Sequence, residues 1–530
     1  MQVARIAIVL ALSPQLARGD GDVTATASVA PAPDDLDVRL TLSSFLYRQS
    51  GNDAEPLVDQ GASPQNASPV HRWFGDMRFE LTDDGFAADA RVRETTSEDY
   101  QSGADGGGEY ELRTLDYRLG SRTTYLTLGR QYIDAVGETK IDGASLTQRF
   151  GAALAGTMFV GAFPELGSRS LDTDYVHFVN NDGTTGPLIV PVAAGLGLAY
   201  QTASYHGDVG AAGVYVPEDI PDAPSDQKSR IYTTSSGYWR PSSALDIYHF
   251  ALLDLAGADG VDLVNGSLGI DARPIEGLQL SFAGNHVSSD LLQIVARNYL
   301  SDPDPSALGV VQNNIALLRI SSDAVRAGAS VSLAAQRFEL SASGGFHRRP
   351  AVSVALADGS GSVVFPEVES ADATFTVLDR RSLAKLRLAL SGSVIEPLGG
   401  AVPNRSRGTV ARLVASRTFA DQRGQIDADV MVERFRDVGA AQECATSQNA
   451  LACYGTSTTS AAQAGAVVSW RVAREWLVVA DTHVGYQKVG STFVYPMDPT
   501  DPGSMAIATP VHWPGVVSVT AFARVQWRFR

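Results

Sequence analysis

The segment Val517-Ser518-Val519-Thr520-Ala521-Phe522-Ala523-Arg524-Val525-Gln526-Trp527-Arg528-Phe529 decides the fold. Val517, Val519, Ala521, Ala523, Val525, Trp527 and Phe529 occupy one set of alternate positions; Ser518, Thr520, Phe522, Arg524, Gln526 and Arg528 occupy the other. A period of two puts these sets on opposite faces of one extended strand. Strands of soluble sandwiches run to about 5–6 residues. An alternation unbroken from Val517 to Phe529 suits a strand that crosses a bilayer, which takes about 9–11 residues.

The same pattern recurs upstream. Ile426, Ala428, Val430 and Val432 oppose Gln425, Asp427, Asp429 and Glu433. Leu388, Leu390 and Val394 oppose Lys385, Arg387 and Ser391, and Val325, Ala327 and Val331 oppose Arg326, Ser330 and Ser332. Phe338 and Leu340 oppose Arg337 and Glu339, and Phe86, Ala88 and Ala90 oppose Asp89, Arg91 and Arg93. Tyr110 to Leu119 and Ala244 to Leu255 are mixed, and a β-bulge in each would restore the phase.

The connections alternate in length. Asp83-Asp84-Gly85, Gly120-Ser121-Arg122 and Ala420 to Arg423 are short; Ser50 to Val70, Phe163 to Pro191, Val287 to Ser322 and Asp437 to Thr459 are long. Short turns on one side and long loops on the other predict a closed antiparallel transmembrane β-barrel, with short periplasmic turns and long extracellular loops. Threading the chain by that rule gives about 22 strands, with 18–24 the range that merged or split segments allow. Closure is obligatory, because lipid offers no partner to an open strand edge. Trp73, Tyr125, Tyr132, Tyr238, Trp239, Tyr486, Tyr495, Trp513 and Trp527 fall near strand ends, as interfacial aromatic girdles do.

The whole-chain numbers agree. The chain has 530 residues, 44% of them hydrophobic, with a net charge of -17. No apolar run after the N-terminus reaches the roughly 20 residues of a membrane helix, and the acidic balance excludes nucleic acid as a partner. Met1 to Gly19 reads as a signal peptide: Arg5 flanks the apolar run Ile6 to Leu12, and Ala17-Arg18-Gly19 places small residues at the cleavage site. Residues 20–37 then form a short periplasmic lead-in, much too short for a plug domain, and 38–530 the barrel. Cys444 and Cys453 share one polar loop and predict a loop disulfide in an exported chain.

Neither catalytic nor cofactor motifs emerge, so the chain is read as a non-enzyme without cofactor or metal. Gly195-Leu196-Gly197 is an isolated fragment in a strand, and His483 with Asp481 is one side of a strand. Asn180-Asn181-Asp182-Gly183, Asp302-Pro303-Asp304 and Asp498 to Asp501 are turn-forming acidic loops, with calcium binding as the alternative. The predicted inner face carries both signs: Arg91, Arg93, Arg326, Arg337, Lys385, Arg387, Arg524 and Arg528 against Asp89, Glu339, Asp427, Asp429, Glu433 and Asp481.

With export signal, amphipathic strands and an aromatic-ended last strand, the chain resembles bacterial outer-membrane porins, although Arg530 follows the terminal aromatic Phe529. Leu128-Gly129-Arg130-Gln131, followed by Ile141-Asp142-Gly143-Ala144, is similar to a local pattern of alginate-export-type porins. The resemblance implies an outer-membrane location, contact with the lipid bilayer and lipopolysaccharide, delivery by the outer-membrane assembly machinery, and a channel for passive or weakly selective diffusion of small hydrophilic solutes. A non-conducting barrel acting as scaffold, adhesin or docking protein is the second expectation. Loops Phe163 to Pro191 and Val287 to Ser322 are the expected narrowing elements; the helical spacing over Asp290 to Arg297 in the latter suits an inward constriction or, slightly better, an extracellular cap helix.

Overall fold

The computed structural model describes residues 36–50, 70–98, 108–164, 171, 174–179, 185–215, 229–257, 260–288, 321–355, 362–365, 367–381, 386–398, 405–438, 454–495, 507–512 and 515–529. Twenty-two antiparallel strands form one closed wall. In chain order they are Asp37–Gln49, Val70–Asp83, Phe86–Glu98, Gly108–Gly120, Thr124–Ile133, Thr139–Phe150, Leu154–Ala162, Val192–Gln201, Tyr205–Tyr215, Ser229–Ser242, Leu245–Gly257, Gly260–Ile275, Leu278–Ser288, Ser321–Leu333, Phe338–Arg349, Val368–Asp379, Arg387–Leu398, Arg405–Phe419, Gly424–Val438, Tyr454–Arg471, Trp476–Tyr495 and Val516–Phe529. Each pairs with its sequence neighbour. The first and last close the ring in register from Val38 opposite Phe529 to Gln49 opposite Ser518. Arg528 clamps this seam, donating through Nε and Nη2 to Asp37 at 2.9 and 2.5 Å.

The alternation sets which way each side chain points. Leu390, Val394, Leu413, Val430, Val432, Val517 and Phe529 are exposed on the outside of the ring. Ser391, Ser393, Asp429, Glu433 and Thr520, one position out of phase with them, face the central cavity. A one-residue slip would exchange the two sets, so the pattern fixes the register. At the short-turn end, outward rings gather into a girdle: Phe419 beside Trp470 and Trp476 beside Trp527, each pair 6.4 Å apart, and Tyr200 beside Tyr205 at 6.0 Å. Two of the tightest turns use Asp84-Gly85 and Glu276-Gly277, whose glycines take φ of +82° and +81°, as hairpin turns twisted with their strands require.

Of the two mixed segments, one contains the expected bulge. Between the pairs Asp89–Thr114 and Ala90–Leu112, Arg113 is the extra residue, and Tyr110 and Leu115 on either side of it both point outward. The strand Leu245–Gly257 instead keeps its own alternation, although its pairings shift register. It reads as mixed because Tyr248 and Phe250 face the cavity and Leu252 packs on a buried apolar cluster inside the ring. Tyr238 also departs from expectation: it faces inward and donates to Asp246 at 2.5 Å, rather than joining a girdle. Tyr125 lies against Arg118, 4.2 Å from its guanidinium. Trp513, the segment Met1 to Gly19, and Cys444 with Cys453 lie outside the described residues. No helix among the described residues is long and apolar enough to cross a membrane.

The two faces predict opposite tolerance to charge. Val394→Arg, on the outer face of Arg387–Leu398, is expected to cost about 2–4 kcal/mol in a bilayer, whereas Ser393→Arg, one residue away and inward, is expected to cost little. Denaturant unfolding from lipid vesicles measures both; equal costs would show that the outer face does not meet hydrocarbon.

Candidate functional site

The ring encloses a cavity of about 2510 Å³. Among the described residues, one segment of the chain bends into it. The strands Thr124–Ile133 and Thr139–Phe150 run in the wall as far as Arg130 and Asp142, where pairing to the flanking strands stops. Above that level their shared hairpin bends inward. Glycines make the bend possible: Gly129, Gly143 and Gly161 stand side by side across three strands. Gly129 has φ +122°, and a Cβ on Gly143 would lie 2.2 Å from the Val160 carbonyl oxygen.

The hairpin tip, a short 3-10 turn over Asp134–Val136, seats on the inner face of Val192–Gln201, Tyr205–Tyr215 and Ser229–Ser242. The seat is built of small residues. A Cβ on Gly197 would lie 2.7 Å from the Ala135 Cβ, and one on Gly210 would lie 2.3 Å from the Ala135 oxygen. Beneath the tip Ile133, Val136, Ile141, Phe159, Ala193, Ala212, Val214 and Tyr232 form a buried apolar cluster. Thr139 bonds the Val136 carbonyl at 2.5 Å and lies 2.7 Å from the Tyr232 hydroxyl. Asp134, Gly137 and Glu138 are left facing the cavity. Burial, together with the neighbouring Glu138 and Asp208, pushes the Asp134 carboxyl up.

An ionic cluster locks the hairpin from its other side. Arg130 grips Asp142 with two hydrogen bonds, 2.6 and 2.5 Å, and reaches Asp174 at 2.5 Å. Lys140 approaches Asp174 at 3.5 Å, and Tyr175 donates to Asp142 at 2.6 Å. Burial and that hydrogen bond push the Tyr175 phenol up, so it remains a donor. Arg130 also donates to the Leu112 carbonyl at 3.0 Å, on the strand that its own strand has left. The described part of Phe163 to Pro191 thus fastens the inward hairpin, through Asp174 and Tyr175. Nearly all of Val287 to Ser322, including Asp290 to Arg297, lies outside the described residues.

The inner-face residues read from the sequence are held mostly in pairs. Asp89 binds Arg78 at 2.7 Å, Arg91 pairs with Asp76, and Arg93 meets Glu109 at 3.4 Å. Arg326 binds Asp372 at 2.6 Å and Glu339 binds Arg380 at 2.5 Å. Asp429 takes Arg412 at 3.1 Å and His483 at 3.0 Å, and His483 meets Asp481 at 2.7 Å through its other nitrogen. Asp427 accepts from Gln425 at 2.9 Å. Arg326, Glu339, Asp429, Glu433 and Asp481 line the cavity. Arg337, bound to Asp379 at 3.3 Å, and Arg387 sit at the short-turn rim. Arg524 lies over the Phe522 ring at 5.2 Å, Arg528 serves the seam, and Lys385 is outside the described residues. The three acidic loop fragments also lie outside them, and no metal-holding group of His, Cys, Asp or Glu occurs among the described residues.

Sequence reasoning missed the hairpin and its seat. The signal was present in Ala193, Gly195, Gly197 and Ala199 on one face, followed by Gly210 and Ala212: a run of small inward residues needs something close against it.

No protein-family model and no curated protein matches the sequence. Among solved structures, the chain is similar to OccAB4 of Acinetobacter baumannii, with 9% identity over 94% of this chain and 100% of that one, at a TM-score of 0.36. It is similar to the siderophore receptor PirA of Acinetobacter baumannii, with 11% identity over 93% and 80% of the two chains, at 0.47. Pseudomonas aeruginosa OpdK, solved with vanillate, shows 8% identity over 93% and 99%, at 0.34. The assignment stands on the chain's own register: a closed 22-strand wall, apolar outward and ionic inward, is an outer-membrane β-barrel.

Removing one partner of a buried ion pair costs about 3–5 kcal/mol. Arg130→Ala is therefore expected to lower the temperature at which the barrel loses its compact gel mobility and to expose the hairpin to protease. An unchanged transition and cleavage pattern would show that Arg130 holds nothing in place.

Proposed function

We propose that this barrel is a water-filled channel for passive or weakly selective diffusion of small hydrophilic solutes, with the hairpin tip Asp134–Val136 as its constriction. The observation that carries the reading is the hairpin itself, seated inside a ring whose inner wall is ionic. Barrel diameter grows with strand number. An open ring of this size would discriminate poorly, so an element that narrows it has a function in a channel and none in a scaffold.

Selectivity follows from the width and the charges that border it. The hairpin seats on the eighth to tenth strands of the ring, and Asp429, Glu433 and Asp481 lie on the nineteenth and twenty-first, on the far side. Solutes would pass between them. Both signs line the passage, so dipolar solutes would be oriented as they cross, and the paired residues keep the wall rigid and hydrated. The lumen-facing residues proposed to act in this way are those read from the sequence, together with Asp134, Glu138 and Asp208.

Planar-bilayer recording tests the reading. Purified protein is expected to give stable ohmic steps; folded protein that stays silent would favour the scaffold, adhesin or docking role instead. Gly210→Leu, which removes the room that Ala135 and Val136 occupy, is expected to raise single-channel conductance several-fold by displacing the tip. Deleting Asp134 to Glu138 should act in the same direction. Conducting barrels whose steps are unaltered by both changes would show that the hairpin does not narrow the passage.

A further inference from the structure

At the seam the lumen wall turns from ionic to aromatic. There Phe522, Phe45 and Phe74 stand in one register row across the last, first and second strands of the ring. All three point inward and are half-buried. Phe45 and Phe74 stack with centroids 4.9 Å apart and planes 21° from parallel. Tyr47 and Arg72, paired directly above the row, line the cavity with Phe45 and Phe74. Below it, Arg93 lies 5.3 Å from the Phe74 ring and Arg524 lies 5.2 Å from Phe522. Arg93 is already engaged by Asp76 and Glu109. Among the described residues no carboxylate lies within ion-pair distance of Arg524.

Three adjacent phenylalanines gain nothing from facing water, and the same rings on the outer face would have met lipid. An apolar strip with an uncompensated guanidinium beside it, on a water-filled passage, matches a solute with a flat ring and a negative charge. We propose that Phe45, Phe74 and Phe522 with Arg524 form a binding subsite for small aromatic carboxylates, the solute ring lying on the phenyl strip and its carboxylate pairing with Arg524. The subsite rests on the channel reading, since the solute reaches it only through the lumen. Such a site lengthens the residence of matching solutes in the passage and so favours their transit over that of other solutes of the same size.

Saturation-transfer NMR on the detergent-folded barrel tests this with benzoate as the probe and with cyclohexanecarboxylate and benzyl alcohol as comparisons. Benzoate is expected to bind saturably and more tightly than either comparison. Arg524→Gln is expected to weaken it roughly ten-fold, the effect of one charge-assisted hydrogen bond, and Phe45→Leu with Phe74→Leu to abolish the ring signals. Compact gel mobility shows that each variant is folded. Absence of saturable binding to folded wild type overturns the subsite, as does binding that survives these substitutions or is equalled by benzyl alcohol. Conductance is read separately. A barrel that conducts but ignores benzoate loses the subsite and keeps the channel; one that binds benzoate through these residues but does not conduct supports the subsite and overturns its role in transit.

Discussion

Everything in this molecule answers to one constraint: a peptide group in hydrocarbon has no water to turn to. The ring satisfies it by pairing every wall strand on both sides, first to last included. The inward hairpin breaks that rule locally. Once Thr124–Ile133 leaves the wall after Arg130, the upper part of Gly108–Gly120 loses its neighbour. The residue at the point of departure offers a replacement, since Arg130 donates to the Leu112 carbonyl while holding Asp142 and Asp174. The glycine row, the arginine and the two aspartates are thus parts of one device. The glycines permit the bend, and the charges make a broken wall tolerable.

The interior shows the converse balance. Individual ion pairs at a water-facing wall contribute little, about 0–1 kcal/mol each, so the inner-face pairs act by fixing side-chain positions more than by adding stability. The buried cluster under the hairpin is different. Val136 and Ile141 are fully shielded although they lie inside the ring, and their burial anchors the tip far more firmly than wall charges could. In the proposed channel the seated tip would be a rigid narrow point in a polar surround, and the aromatic row at the seam one of the apolar surfaces that the lumen exposes.

Much of this architecture was legible in the residues. The alternation in Val517 to Phe529 and its repeats identified the wall and its two faces, because only one periodicity suits a strand with lipid on one side and water on the other, and the alternating short and long connections set the strand number. The irregular stretch Tyr110 to Leu119 was correctly traced to a bulge, seen at Arg113. What stayed hidden was packing within the lumen. Phe250, Leu252 and Tyr232 face inward and are apolar, which period-two reasoning assigns to a broken pattern rather than to a second interior surface. Arg130 and Asp142 were noticed as a local pattern, but their partner Asp174 is 44 residues beyond Arg130 in the chain, and nothing local announces it. The phenylalanine row was invisible for the same reason, since its members come from opposite ends of the sequence and meet only when the ring closes.

That meeting has a bearing on how the protein is made. Arg528 and Asp37 are separated by 491 positions, yet their strands share a full ladder of hydrogen bonds. The second partner of the first strand is the last strand of the ring, so both edges stay open until that strand is in place. Contacts so distant along the chain are the slowest to form. A chain cut short of its last strand would keep two unpaired margins, which hydrocarbon cannot satisfy.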